Sequence, residues 1–274
     1  MYLKPKKIHL HLGLEKPLRI LHLTDLHLSL SDDRDSDEQR EWAAKRREIF
    51  FREAESPSRD PVGFFEEAME YAKQFDYTVI TGDILDGLGH ANIETARRIL
   101  SGKEYLYCLG NHEFCTMKLD AKPEERESIR SLLKTVFRGN LTLDSHLVGG
   151  VNLIAADNSG YRWTEEQYEL LQQEVAKGYP ILLFTHSPLE NGIRTLDPAF
   201  DRRTGVIYNH IVKNYGEEAI PTTRKVTDYI ANEPLIKATF GGHFHADFVN
   251  EFGNKTTYIL GGLFKGIVGE IHID

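Results

Sequence analysis

Five short stretches of the 274-residue chain carry side chains suited to chemistry: Asp25 with His27, Asp83 with Asp86, Asn111 with His112, His186 alone, and His243 with His245. Carboxylate, amide and imidazole donors without a thiolate suit zinc, iron or manganese rather than an iron–sulfur cluster. The set Asp25, His27, Asp83, Asn111, His186, His243 and His245 is too large for one zinc ion. It is also too rich in histidine for calcium or magnesium. Two ions about 3.5–4 Å apart, sharing one carboxylate, fit the count and leave each ion four protein ligands. Such a pair makes a locally cationic pocket that attracts phosphate oxygens and lowers the pKa of a shared water toward about 7.

Each stretch follows an apolar run that reads as a β-strand: LRILHL, YTVI, EYLYCL, YPILLF and LIKATF. In open α/β sheets the crevice at the carboxyl ends of the strands is where ligands bind, so these loops can converge across long sequence separations. Taken singly, most of the pieces are ordinary. Asp-x-His is a common polar loop pair, Gly-Asp after a strand is a common turn, and one histidine can be a core residue or a helix cap. GNHE is sharper, because a strand delivering Gly-Asn-His has no obvious packing purpose, and so is GGHFH, because two histidines two apart in an extended chain project to the same side. The pair His9 and His11 lies inside a strand with no loop after it and reads as surface or edge. Among the remaining histidines only His210 keeps functional interest.

Strands alternate with helices expected at 38–54, 61–75, 92–100, 123–136, 164–176 and 223–232, and a strand-rich tail follows: FVNEF, TTYIL and KGIVGEIHI. The pattern is that of an α/β layered fold. KKIHLHL and LRILHL read as a hairpin across GLEKP. With no repeat and no low-complexity linker, residues 1–274 read as one domain carrying two insertions, at about 29–60 and 189–222. The second is long for a connection and starts just after His186. Its Arg202 and Arg203 are suited to holding a phosphate or carboxylate, and Tyr208 and Tyr215 to stacking on a ring, so it reads as a lid that selects substrate. A plain surface excursion is the competing reading.

Composition narrows the classes further. Hydrophobic and charged fractions of 41% and 27% are those of a globular protein, and the formal charge of −9 argues against a broad nucleic-acid-binding face. No apolar run is long enough to span a bilayer, and the first residues lack a signal-peptide core, so a cytoplasmic protein is expected. Cys108 and Cys115 form no C-x-x-C pattern and read as ordinary thiols.

The order D-x-H, GDxxD, GNHE, H, GHxH, running from residue 25 to 245, resembles the calcineurin-like metallophosphoesterase family. The resemblance implies a four-layer α/β/β/α sandwich with two facing mixed sheets. It implies Asp25, His27, Asp83 and His245 around a first metal, with Asp83 bridging and Asn111, His186 and His243 completing a second; the ions would be manganese, iron or zinc. It further implies hydrolysis of a phosphate ester by a hydroxide between the metals. His112 would protonate the leaving oxygen and Asp86 would orient His112. Where the protein-phosphatase branch has arginines, this chain has Gly87 after Asp86 and Leu109 before GNHE. The pattern is closer to the bacterial-type phosphohydrolases, so a small phosphodiester or nucleotide is expected ahead of a monoester. A nuclease of the same fold and a metal-binding interaction module without turnover are the alternatives.

Overall fold

The computed structural model describes residues 3–54, 61–116, 121–189 and 210–274. Two mixed sheets organise it. The first has the order β1-β11-β2-β3-β4, built from β1 (Lys4–Leu10), β2 (Leu18–Leu23), β3 (Tyr77–Thr81), β4 (Leu106–Cys108) and β11 (Ile267–Ile273). The second has the order β5-β6-β7-β8-β10-β9, from β5 (Leu143–Val148), β6 (Val151–Ala156), β7 (Ile181–Phe184), β8 (Ile236–Gly241), β9 (Phe248–Phe252) and β10 (Lys255–Ile259). Within them β2, β3 and β4 are parallel neighbours, and so are β6, β7 and β8.

The strand sequences explain the layering. Alternate residues of β6 and β7 face opposite ways, and apart from Asn152 both sets are apolar, which is the mark of a strand covered on both faces. Leu153, Ala155, Leu182 and Phe184 join Ile20, Val79, Leu106 and Ile271 of the other sheet in a core between the sheets. Ile154, Leu183 and Ile181 instead pack outward, against Leu171 of α5 (Glu165–Val175) and Val226 and Ile230 of α6 (Ala219–Asn232). On the far side, Leu21, Leu23, Ile80 and Tyr107 pack against α2 (Pro61–Tyr71), α3 (His90–Leu100) and α4 (Pro123–Leu133). The result is a helix, sheet, sheet, helix sandwich.

Two details depart from the sequence reading. The hairpin expected across GLEKP does not form: β11 lies between β1 and β2, parallel to the first and antiparallel to the second. The buried, apolar β2 takes the C-terminal strand as its neighbour, and the largely exposed β1 is left at the edge, paired to the far side of β11. The strand LDSHLV was not anticipated, because its residues are mostly half-buried or exposed and show no clean alternation. Its signal was the Gly149-Gly150 turn that joins it to β6. The first insertion contains α1 (Asp37–Glu53), started by a Ser36 and Gln39 capping box. In the second, residues 190–209, with Arg202, Arg203 and Tyr208, lie outside the described residues; residues 210–215 are helical. His9, the discounted histidine, stacks on His272 of the neighbouring strand at 5.1 Å.

Candidate metal centre

The carboxyl ends of β2, β3 and β4 meet those of β7 and β8 along the seam between the sheets, and all five motif loops converge there. Backbone bonds zip the first two loops together. The Asp25 N–H donates to Gly82 O (3.1 Å) and the His27 N–H to Asp83 O (2.9 Å). The His243 N–H donates to Asp25 Oδ2 at 3.0 Å, tying in the second sheet. Glycine is required where these loops touch. A Cβ on Gly110 would lie 2.1 Å from Asp83 Oδ1, and one on Gly242 would lie 2.0 Å from Thr24 Oγ1. That is the physical need behind the glycines of GNHE and GGHFH.

Two donor groups result. In the first, His27 Nε2 lies 3.0 Å from His245 Nε2, and Asp25 Oδ1 lies 3.6 and 3.4 Å from those two nitrogens. In the second, Asn111 Oδ1 lies 3.2 Å from His186 Nε2 and 3.1 Å from His243 Nδ1. A single oxygen, Asp83 Oδ2, faces both groups, 3.7 Å from His27 Nε2 and 3.1 Å from His186 Nε2. The other oxygen, Asp83 Oδ1, accepts the His112 N–H at 2.8 Å.

These groups fit transition-metal ions. Ligands held about 2.0–2.2 Å from one tetrahedral ion stand about 3.3–3.6 Å apart, close to the spacings in both groups. The outer nitrogens of His186 and His245 also fit. His186 Nδ1 donates to Thr81 O at 2.7 Å, which leaves Nε2 as a lone pair aimed inward. His245 Nδ1 lies 3.2 Å from Glu53 Oε2. His27 Nδ1 is buried and lacks a hydrogen-bond partner among the described residues.

Charge and strain point the same way. Asp25, Asp83 and Asp86 are each at most 1% exposed. Burial alone would raise the Asp25 carboxyl, but hydrogen bonds to His245 and His27 hold it well below the ordinary range. Burial likewise disfavours a charged His186, and the carboxylates of Asp83 and Asp25 overcome that and push it up to about 9. His243 is driven down to about 4 by burial and the neighbouring His186 charge. Without bound ions the buried carboxylates hold His186, His112 and His245 toward their protonated forms, and bound cations would take over that charge balance. Among the described residues six non-glycines have positive φ, and five of them are Asp25, His27, Asp83, His243 and His245. Such conformations cost about 1–3 kcal/mol each and gather where function requires them.

His112 and Asp86 sit beside the first group. His112 Nδ1 lies 2.6 Å from Asp86 Oδ1. Despite burial, Asp83 and Asp86 raise the His112 pKa well above its ordinary value. Several participants were not singled out in the sequence. Glu113 is fully buried, and its carboxylate accepts the N–H groups of Asp83, Ile84, Leu85 and Gly110 at 2.7–3.0 Å. Burial and the Asp83 charge push it up to about 7, with the backbone bonds acting oppositely. It ties the β3 loop to the β4 loop, and its place in GNHE was the available signal. Helix α1 brings Arg46, Phe50 and Glu53; the Phe50 ring stacks on His27 at 4.0 Å. Tyr161 is the sixth strained residue, and its hydroxyl lies 3.4 Å from His243 Nε2. His210 meets the Tyr161 ring edge-on at 5.0 Å. Tyr215 packs under Arg162 at 4.2 Å, in one cluster with Tyr161 and with its ring 6.5 Å from that of His210.

Comparison with known proteins agrees with this fold. The chain belongs to the calcineurin-like phosphoesterase family, whose model matches residues 18–247. Its structure is similar to that of a dimetal phosphatase from Danio rerio, at 14% identity and a TM-score of 0.50, covering 90% of this chain and 88% of the other. It is also similar to a purple acid phosphatase from yellow lupin (Lupinus luteus) seeds, at 13% identity and a TM-score of 0.51. That match covers 93% of this chain but 45% of the longer lupin protein. No curated protein sequence matches the chain. Among the described residues no helix is long and apolar enough to cross a membrane. Cys108 and Cys115 are buried and are not joined in a disulfide.

Proposed function

We propose that this protein is a two-metal phosphoester hydrolase that prefers small phosphodiesters. The observation that carries the reading is Asp83 Oδ2, one carboxylate oxygen facing both donor groups. Asp25, His27, Asp83 and His245 would hold one ion, and Asp83, Asn111, His186 and His243 the other. Bound there, manganese, iron or zinc would acidify a water molecule and draw charge from the phosphoryl group. The protein's own residues do the rest. Asp86 accepts from His112 Nδ1, so the imidazole is oriented with Nε2 free to give a proton to the departing oxygen. Residues 1–274 are read as one catalytic unit, supported by β11 lying between β1 and β2, so that both ends of the chain share a sheet. The missing arginines after Asp86 and before Gly110 favour a diester over a phosphoprotein.

A panel of chromogenic esters tests the reading on protein reconstituted with each metal in turn. Bis(p-nitrophenyl) phosphate should turn over faster than p-nitrophenyl phosphate. Faster monoester turnover would overturn the diester preference. No turnover of either would overturn the hydrolase reading in favour of a metal-binding module.

A further inference from the structure

Helix α1 reaches the site through one face. Arg46, Phe50 and Glu53 are spaced at i, i+4 and i+7, so they line up along the helix. Phe50 covers His27 and Glu53 meets His245, but Arg46 touches neither donor group directly. Its Nε donates to Asp86 Oδ2 at 2.7 Å, and its Nη2 lies 3.3 Å from His112 Nδ1. The guanidinium is flanked by the rings of Trp42 (5.6 Å) and Phe50 (4.9 Å) and its side chain is 12% exposed.

Asp86 is thereby held from two sides. Its Oδ1 faces His112, while Oδ2 accepts from Arg46 and, at 3.2 Å, from Ser29 Oγ. A buried carboxylate with one oxygen unengaged could turn about χ2 and present either oxygen to the imidazole. The planar guanidinium removes that freedom, because a charge-assisted bond fixes Oδ2 and with it the plane of the carboxylate. We propose that Arg46 is a positioning residue for the proton donor, acting through Asp86 to fix the His112 ring. This rests on the hydrolase reading above. Helix α1 is then part of the catalytic machinery, although it carries no candidate metal ligand.

The test compares Arg46→Ala and Arg46→Lys with the wild type in the metal-loaded protein. With an alkyl leaving group, which needs its proton, Arg46→Ala should lose roughly 10–100-fold in kcat without a change in KM. With a nitrophenol leaving group the loss should be small, and metal content should stay at the wild-type level. Arg46→Lys should recover part of the loss, as should guanidinium added to Arg46→Ala. A rise in KM with kcat preserved would show that Arg46 grips substrate instead, and equal losses for both leaving groups would show a merely structural role; either overturns the proposal. A second readout does not depend on turnover. In metal-free protein with ¹⁵N-labelled histidine, the Nδ1 proton of His112 should give a downfield resonance that Arg46→Ala broadens or shifts. An unchanged resonance overturns the proposal. Wild-type protein inactive on every ester would sink the hydrolase reading while this resonance still decided the role of Arg46.

Discussion

His112 is engaged at one ring nitrogen and at its backbone. Nδ1 meets Asp86 and the N–H meets Asp83 Oδ1, so Nε2 is the atom left for proton transfer. Replacing His112 by alanine should lower kcat by roughly 10²–10⁴ for esters of alkyl alcohols, while metal content is retained. The loss should shrink for nitrophenyl esters, whose leaving groups depart without a proton; kcat measured across leaving groups of graded acidity checks this. A uniform loss would contradict the role. The residues of this site differ in how openly the sequence displays them. Asp25, His27, Asp83, Asn111, His186, His243 and His245 stand out because each follows a strand, and Asp83, Asn111 and His243 directly follow a glycine. Arg46 does not: it sits in the run AAKRREIFFRE, where Arg47 and Arg52 look just like it. Only the fold shows that Arg46 turns to Asp86 while Arg47 bonds the Ser29 carbonyl.

Among the elements, α1 bears most directly on function. It buries only Ala43 and Phe50 of its seventeen residues, so its seat depends on few contacts. Phe50 provides the largest of them, packed against His27, Phe264 and the Arg46 guanidinium. Truncating a buried phenylalanine to alanine costs about 3–5 kcal/mol in a core. Here the loss should fall on the helix rather than on the sandwich, because no strand depends on Phe50. Hydrogen exchange of Phe50→Ala should show faster exchange across residues 40–52 with β2 and β3 unchanged, and turnover of alkyl esters should fall with it. Protection of α1 equal to the wild type would contradict this account of its docking. The helix itself was legible from its charge and its aromatic spacing. Its destination was not, because a polar helix with a short apolar stripe can seat on many surfaces. The same limit hid the separation of β1 and β2: a turn signal shows that two strands are near in the chain, and nothing local announces a third strand from 250 residues away.

For the whole molecule, the sandwich acts as a frame that holds two sets of loops edge to edge. Three loops come from the first sheet and two from the second, so neither sheet alone completes a donor group. The strand-then-helix rhythm and the motif order made this arrangement readable in advance. The closing of the seam by Glu113 and the strain at five ligand positions became visible only in three dimensions. Ions bound across the seam should therefore stabilise the fold as well as serve the chemistry. A ligand at about 1,000 times its Kd contributes about 4 kcal/mol. Stripping both ions should thus lower the Tm by on the order of 10 °C or more, reversed when metal is returned. The most direct test of the shared site is the metal stoichiometry of the wild type and of Asp83→Asn, measured on the purified, folded proteins. A bridging carboxylate serves both ions and moderates their mutual repulsion, so neutralising it should weaken both at once. The wild type should hold close to two ions per chain and Asp83→Asn fewer than one. A variant that keeps both ions, or a wild type that binds only one at saturation, would contradict the two-metal centre built around Asp83.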